Sequence, residues 1–250
     1  MDASYIEKHI EQLKMDIYRH VQHKTLLKYT GNPLVNENQL FYMLLPFFNG
    51  ENWDEEKYEG IITVGIVQAS LSEHGLIDES EATSKTQQLT VLSGDYYSGR
   101  YYEILANSGN IPLIRQLSEG VVLRSEHEIR VYEPNNYTFD DWLQSLTIIE
   151  SEFISRFYQQ YNFEQYRAIM ETNLLALRLQ QELANYKEGN SSLFFLKMMD
   201  SFVPEDSLNF EKFMEDKVEK LIHQLLELLH TSLLKEELQL YIDKQLIRQS

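Results

Sequence analysis

Apolar residues recur at helical spacing along most of the chain. In residues 207–230, Phe210, Phe213, Met214, Val218, Leu221, Ile222, Leu225, Leu226 and Leu229 follow one another every three or four positions. That is the stripe of an amphipathic helix. Helix-start signals fall where such patterns begin. Ser4 with Glu7, Ser84 with Gln87 and Thr138 with Asp141 have capping-box spacing, and Asp54 stands ready to cap the next segment. Breakers lie between the patterns: Gly31 and Pro33, Gly50, Gly109 and Pro112, Pro134, Gly189, Pro204. The pattern predicts helices over 4–29, 37–48, 54–74, 84–107, 111–132, 139–161, 163–187, 191–201 and 207–247, the last broken near Thr231–Ser232. No alternating strand pattern competes, and no repeat or low-complexity tract interrupts the chain. The expected fold class is all-α, a single helical bundle over residues 1–250.

Composition supports this. There are only 10 Gly and 5 Pro in 250 residues, about half the usual share. Turn-rich β sandwiches and Gly-rich phosphate-binding folds need more. Acidic side chains number 39 against 22 basic ones, a formal net charge of −17. That disfavours nucleic acid and anionic membranes as partners. The absence of Cys removes disulfides and thiolate zinc sites. The longest apolar stretches, 41–48 and 61–67, are far short of the roughly 20 residues that span a bilayer. The N-terminus carries charges rather than an apolar signal region. The expectation is an acidic, cytoplasmic protein with no membrane insertion.

Candidate chemistry is sparse. His20 and His23 are three apart on a predicted helix, but no third ligand accompanies them. Asp140–Asp141 sits at a helix start, where acids cap N–H groups and meet the positive dipole end. The acidic run 51–59 reads as a solvated face. The unusual segment is residues 89–106, LTVLSGDYYSGRYYEILA. Two Gly inside a helix cost about 1 kcal/mol each relative to Ala and imply a close backbone approach. Leu92, Asp95, Gly99, Tyr102 and Ala106 share one face. Asp95 is therefore expected to be half-buried among Tyr96, Tyr97, Tyr101 and Tyr102, in need of donors. The plain structural reading is a tight helix crossing with a structural Asp.

The string QLTVLSGDYYSGRYY resembles the Gly-Asp-aromatic helix of trans-prenyltransferases. It is most similar to the small subunit, component 1, of bacterial heterodimeric heptaprenyl or hexaprenyl diphosphate synthases. The resemblance implies the isoprenoid (polyprenyl) synthase fold. Active members of that fold carry two DDxxD motifs whose carboxylates bind Mg²⁺, and the metal takes up the charge of the departing pyrophosphate. In this sequence residues 69–78, ASLSEHGLID, align with the first motif, ASLxHDDVID. His74 and Gly75 replace the two leading aspartates, and Asp78 remains. Residues 177–185, LRLQQELAN, align with FQxxDDxLD, leaving Gln181, Glu182 and Asn185. The family's diphosphate-contacting Lys-Thr pair falls on Ile149 and Glu150. The GGKRxRP loop has its nearest counterpart at Gly31-Asn32-Pro33, without Lys or Arg.

The resemblance thus implies a non-catalytic, regulatory subunit with no catalytic residue and no metal of its own, inactive alone. Its implied partner is a large DDxxD-bearing catalytic subunit that holds Mg²⁺. The heterodimer would make the heptaprenyl or hexaprenyl diphosphate precursor of the menaquinone side chain. The small subunit would complete the complex and help shape a shared apolar tunnel for the growing prenyl chain, since each CH₂-sized group moved from water gains about 0.8 kcal/mol. Gln68, Gly94, Asp95, Tyr96, Gly99, Tyr101 and Tyr102 are the candidates for partner interface or tunnel support. The competing reading is a stand-alone helical prenyl-binding or interaction module without a synthase partner.

Overall fold

A computed structural model describes residues 2–76, 84–134, 136–202 and 209–247. Asp78 lies outside them. The described residues form eleven α-helices and no strand: α1 Ala3–Val21, α2 Lys24–Thr30, α3 Glu37–Asn49, α4 Glu55–Gly75, α5 Lys85–Ser108, α6 Ile111–Glu128, α7 Phe139–Tyr161, α8 Arg167–Lys187, α9 Leu193–Asp200, α10 Phe210–Thr231 and α11 Glu236–Ile247. Short 3₁₀ turns follow α6 and precede α8. The chain divides into two compact units. One comprises Met1–Glu119 with Phe153–Phe163, the other Gly120–Glu152 with Glu164–Ser250.

The first unit is built on helices that differ in how much of their surface is apolar. α1 buries a single stripe, Ile6, Ile10, Leu13, Ile17 and Val21. α4 carries the run Ile61–Val67, and every residue from Gly60 to Ser70 is buried. A helix apolar all round must be enclosed by others. Close packing there needs Gly65, because a Cβ at that position would meet Ile17 Cδ1 at 2.3 Å. Residues 39–46 of α3 are buried as well. Tyr158 of α7 donates its hydroxyl hydrogen to the Tyr42 carbonyl at 2.5 Å, which ties α7 to α3 within the core.

In the second unit α8 and α10 supply the main apolar faces. Phe210, Met214, Val218, Leu221, Leu225 and Leu229 are the buried stripe of α10. Leu226, read from the sequence as part of the same stripe, is 41% exposed. It stands one position beyond Leu225, about 100° round the helix. α11 is joined to α8 by Asn173, whose amide donates to Gln245 Oε1 at 3.1 Å.

The caps at Asp54, Ser84 and Thr138 form. Asp54 accepts from Lys57 N–H and Ser84 from Gln87 N–H. Thr138 and Asp141 exchange bonds reciprocally: Thr138 N–H donates to Asp141 Oδ2 at 2.8 Å, and Asp141 N–H to Thr138 Oγ1 at 3.2 Å. Two expectations are corrected. The first helix starts earlier than the Ser4–Glu7 pair implied, because Asp2 accepts from Tyr5 N–H and is the cap. The expected helix 4–29 is two helices. His23 takes an extended backbone and its Nδ1 accepts from Leu26 N–H, so it caps α2 rather than continuing α1.

Candidate functional site

The segment singled out in the sequence packs α5 against α4. Thr90, Ser93, Gly94, Tyr97, Tyr101 and Leu105 form the buried side of α5. Ser70 of α4 donates its hydroxyl hydrogen to the Gly94 carbonyl at 2.7 Å and lies 2.9 Å from Ser98 Oγ. Gly94 is needed here because the His74 ring lies over it. A Cβ on Gly94 would stand 2.5 Å from His74 Nε2 and 2.7 Å from Cε1. The close approach expected of this glycine exists, but a side chain makes it rather than a backbone. His74, at the place of a metal-binding aspartate in the resembled motif, is thereby folded onto α5. Its Nε2 is 3.7 Å from Asp95 Oδ1. At Gly75, the next motif position, an added Cβ would meet nothing within 4 Å.

The face Leu92, Asp95, Gly99, Tyr102, Ala106 is the opposite of what was expected. It points away from the α4 contact except at Asp95, whose carboxylate lies at the edge beside His74. Leu92 is 53% exposed, Tyr102 is 43% exposed and the Asp95 side chain is 66% exposed. A Cβ at Gly99 would meet nothing within 4 Å. The helical net was right about which residues share the face. It could not tell which of two partly apolar faces turns inward, and the buried one is made of Ser, Thr, Gly and Tyr. Among the tyrosines, Tyr101 is 3% exposed, and its burial pushes the phenol well above its usual range. Tyr102 shares a 2.7 Å hydroxyl hydrogen bond with Ser118 of α6. Tyr96 stacks obliquely on His23, ring centroids 5.4 Å apart. Gln68, 6% exposed, lines a cleft of about 320 Å³ with Asn36, Gln39 and Ser72.

Glu73, beside His74, was not singled out in the sequence. It is 2% exposed, and its Oε2 has no hydrogen-bond partner among the described residues. Burial pushes its pKa up, against the pull of the Leu34 backbone N–H that donates to it. Burial also pushes Tyr97 up to about 12, with the Glu73 charge adding to the effect.

The counterpart of the second motif lies on α8, in the other unit. Glu182 is 3% exposed. It accepts from Arg178 Nε at 2.9 Å and from Ser192 Oγ at 2.7 Å. Ser192 in turn caps α9. Arg178 Nη1 also binds Glu150, which stands where the resembled family has its diphosphate-contacting threonine. Burial works against the charge on Arg178, but Glu150 and Glu182 outweigh it and hold the guanidinium above its ordinary pKa. Gln181 donates its amide hydrogen to Asn185 Oδ1 at 2.9 Å. Arg178 was missed in the sequence. Its signal was the i, i+4 spacing to Glu182.

This donor set does not suit a divalent cation. Mg²⁺ asks for open carboxylate oxygens, and the Glu182 carboxylate is already engaged by a guanidinium and a hydroxyl. No group of three or more His, Asp or Glu side chains that could hold a metal occurs among the described residues. His23 is used otherwise, since its Nδ1 caps α2. Among the described residues, no helix is long and apolar enough to cross a membrane.

Three crystal structures superpose on nearly the whole chain. Heptaprenyl diphosphate synthase from Staphylococcus aureus has a TM-score of 0.70 at 10% identity, over 98% of this chain and 97% of that one. A decaprenyl diphosphate synthase from Rhodobacter capsulatus gives 0.74 at 11% identity, over 99% and 97%. A geranylgeranyl pyrophosphate synthase from Lactobacillus brevis gives 0.69 at 14%, over 98% and 96%. At such identities the likeness shows the fold alone, which is that of the isoprenoid synthases. In sequence, the chain is 30% identical over 138 residues to heptaprenyl diphosphate synthase component 1 of Geobacillus stearothermophilus. That stretch covers 55% of this chain and 63% of the relative, less than two thirds of the relative's own length. The profile of heptaprenyl diphosphate synthase (HEPPP synthase) subunit 1 matches residues 23–230. With most of its length inside that match, the chain belongs to the heptaprenyl diphosphate synthase subunit 1 family.

Proposed function

We propose that this chain is the regulatory, non-catalytic subunit of a heterodimeric heptaprenyl or hexaprenyl diphosphate synthase supplying the menaquinone side-chain precursor in the cytoplasm. The observation that carries this reading is the Arg178 cluster. Where an active synthase needs carboxylates free for metal, this chain has Glu182 bound to a resident guanidinium, with Glu150 bound to the same group. Departure of pyrophosphate builds charge that metal ions and basic side chains must absorb. A site whose Arg178 guanidinium is held by two carboxylates has little left to offer. The chemistry then falls to a partner that carries both DDxxD motifs and Mg²⁺.

The exposed face of α5 supports a partner-binding role. Leu92, Asp95, Gly99, Tyr102 and Ala106 follow helical spacing on a surface the chain itself leaves uncovered. Obligate interfaces bury faces of this kind. The buried members of the candidate set, Gln68, Gly94 and Tyr101, support that face from beneath and contribute to the tunnel wall, with Tyr96 at its edge. The deciding experiment is prenyl transfer from isopentenyl diphosphate to farnesyl diphosphate with Mg²⁺. The isolated chain should give no product, and adding the DDxxD-bearing subunit should give a long prenyl diphosphate. Steady turnover by the isolated chain would overturn the reading.

A further inference from the structure

The second unit holds a cleft of about 1120 Å³ that the reading above leaves unused. Its lining includes Trp142 and Phe139 of α7, Phe202 after α9 and Phe213 of α10. Phe139, Phe213 and Phe202 form a connected wall, and Trp142 packs against Tyr137, which also lines the cleft. Phe139 and Phe213 have ring centroids 4.9 Å apart, and Phe202 and Phe213 4.7 Å. Lys197 of α9 and Lys217 and Lys220 of α10 line the same cleft. Lys217 and Lys220 are three apart and share a helix face.

Lys14, Lys57, Lys187 and Lys212 are each committed to a carboxylate. Lys197, Lys217 and Lys220 make no ion pair among the described residues. Asp140, Asp200 and Asp216 also reach the cleft. Asp216 is held by Lys212 at 2.8 Å, and Asp140 and Asp200 are exposed. The α9 wall is fixed from behind, since Ser192 caps that helix and is bound to Glu182. Uncommitted ammonium groups beside a large apolar wall match a ligand with an anionic head and an apolar body.

We propose that this cleft binds a phosphorylated amphiphile, with Lys197, Lys217 and Lys220 donating to a phosphate or diphosphate head and Phe139, Trp142 and Phe213 covering an apolar chain. The choice of an isoprenoid chain rests on the function proposed above. The binding itself does not depend on the partner subunit.

Trp142 is 3% exposed and lines the cleft, so it is a built-in reporter. The chain has one other tryptophan, Trp53, which is 47% exposed in the first unit. The full chain carrying Trp53→Phe is titrated with farnesyl diphosphate in buffer containing EDTA, and Trp142 emission is followed. A saturable change is expected. Lys217→Ala with Lys220→Ala should weaken binding about tenfold or more, the worth of one charge-assisted hydrogen bond, without moving the thermal midpoint. Inorganic pyrophosphate and farnesol, each lacking one half of the ligand, should bind at least as much more weakly. The absence of both an emission change and a calorimetric heat would overturn the proposal. So would undiminished binding by the double lysine variant, or pyrophosphate binding as tightly as farnesyl diphosphate. Reconstitution with the DDxxD-bearing subunit separates the two ideas. A chain that reconstitutes but does not bind alone loses only the cleft, and one that binds but does not reconstitute loses only the subunit role.

Discussion

The His74 ring covers Gly94 so closely that a single methyl group there would stand 2.5 Å from Nε2. Gly94→Leu should therefore destabilise the chain by about 1–3 kcal/mol, the usual cost of overpacking. Removing the ring should give much of this back. In denaturant melts Gly94→Leu is expected to cost less on a His74→Ala background than on the parent. An equal loss in both would place the strain elsewhere than in this contact.

Gly99 is the contrasting case, five residues along the same helix. Nothing stands within 4 Å of the direction its Cβ would take. Gly99→Ala should stabilise the isolated chain by about 0.5–1 kcal/mol through helix propensity alone. Gly99→Leu should leave the isolated chain as stable as the parent, yet reduce prenyl transfer when the partner subunit is added. Full reconstituted activity with Gly99→Leu would remove this face from the interface.

Arg178 holds two carboxylates, Glu150 and Glu182, the latter with a side chain 4% exposed. Arg178→Ala removes the guanidinium that both share. A fully buried pair broken this way costs about 3–5 kcal/mol. Arg178 itself is 30% exposed, so solvent screening brings the expectation to about 2–3 kcal/mol. The combined replacement Glu150→Gln, Arg178→Met, Glu182→Gln should regain most of it in thermal melts. A loss below about 0.5 kcal/mol for Arg178→Ala would mark the cluster as a surface pair.

Two buried titratable groups should bend the pH profile of stability in opposite senses. Burial raises Glu73 above its ordinary 4.5, so folding favours its protonated form. Its stabilising contribution is complete below about pH 4.5 and is lost as pH rises through the raised value. Glu73→Gln should thus stabilise the chain at pH 7 and make no difference near pH 4. His127 is lowered from 6.5 by burial and then by the Arg130 charge, and its Nδ1 lies 2.9 Å from Ser145 Oγ. Its neutral form is favoured, so its contribution is present above pH 6.5 and lost as pH falls through the lowered value. His127→Gln should flatten that acid limb. Stability measured by denaturant between pH 4 and 8 checks both.

The helices were legible because their signals are local. Three- and four-residue spacing and a capping side chain are short-range facts, and Asp54, Ser84 and Thr138 cap where their spacing said they would. The break at His23 was not legible, because a histidine is an uncommon cap and α1 and α2 are joined without a glycine or proline. The α5 faces were assigned the wrong way round for a similar reason. Burial there follows the neighbour, α4, whose Ser70 and His74 want Gly94 and Ser98 close. No property of α5 alone says so. At the positions that resemble the two motifs the departures could be read residue by residue, but what the side chains do instead could not. Arg178 becomes meaningful only when Glu150, twenty-eight positions away, is seen to share it.

The arrangement around Arg178 also bears on how a metal site could be installed here. Aspartates introduced at Gln181 and Asn185 would enter a neighbourhood where a guanidinium already sits between two carboxylates, and a divalent ion would have to compete with it. Removing Arg178 first would take away the guanidinium that Glu150 and Glu182 share. Either first step is disfavoured alone, so building a metal-binding motif on this stretch of α8 asks for several substitutions made together.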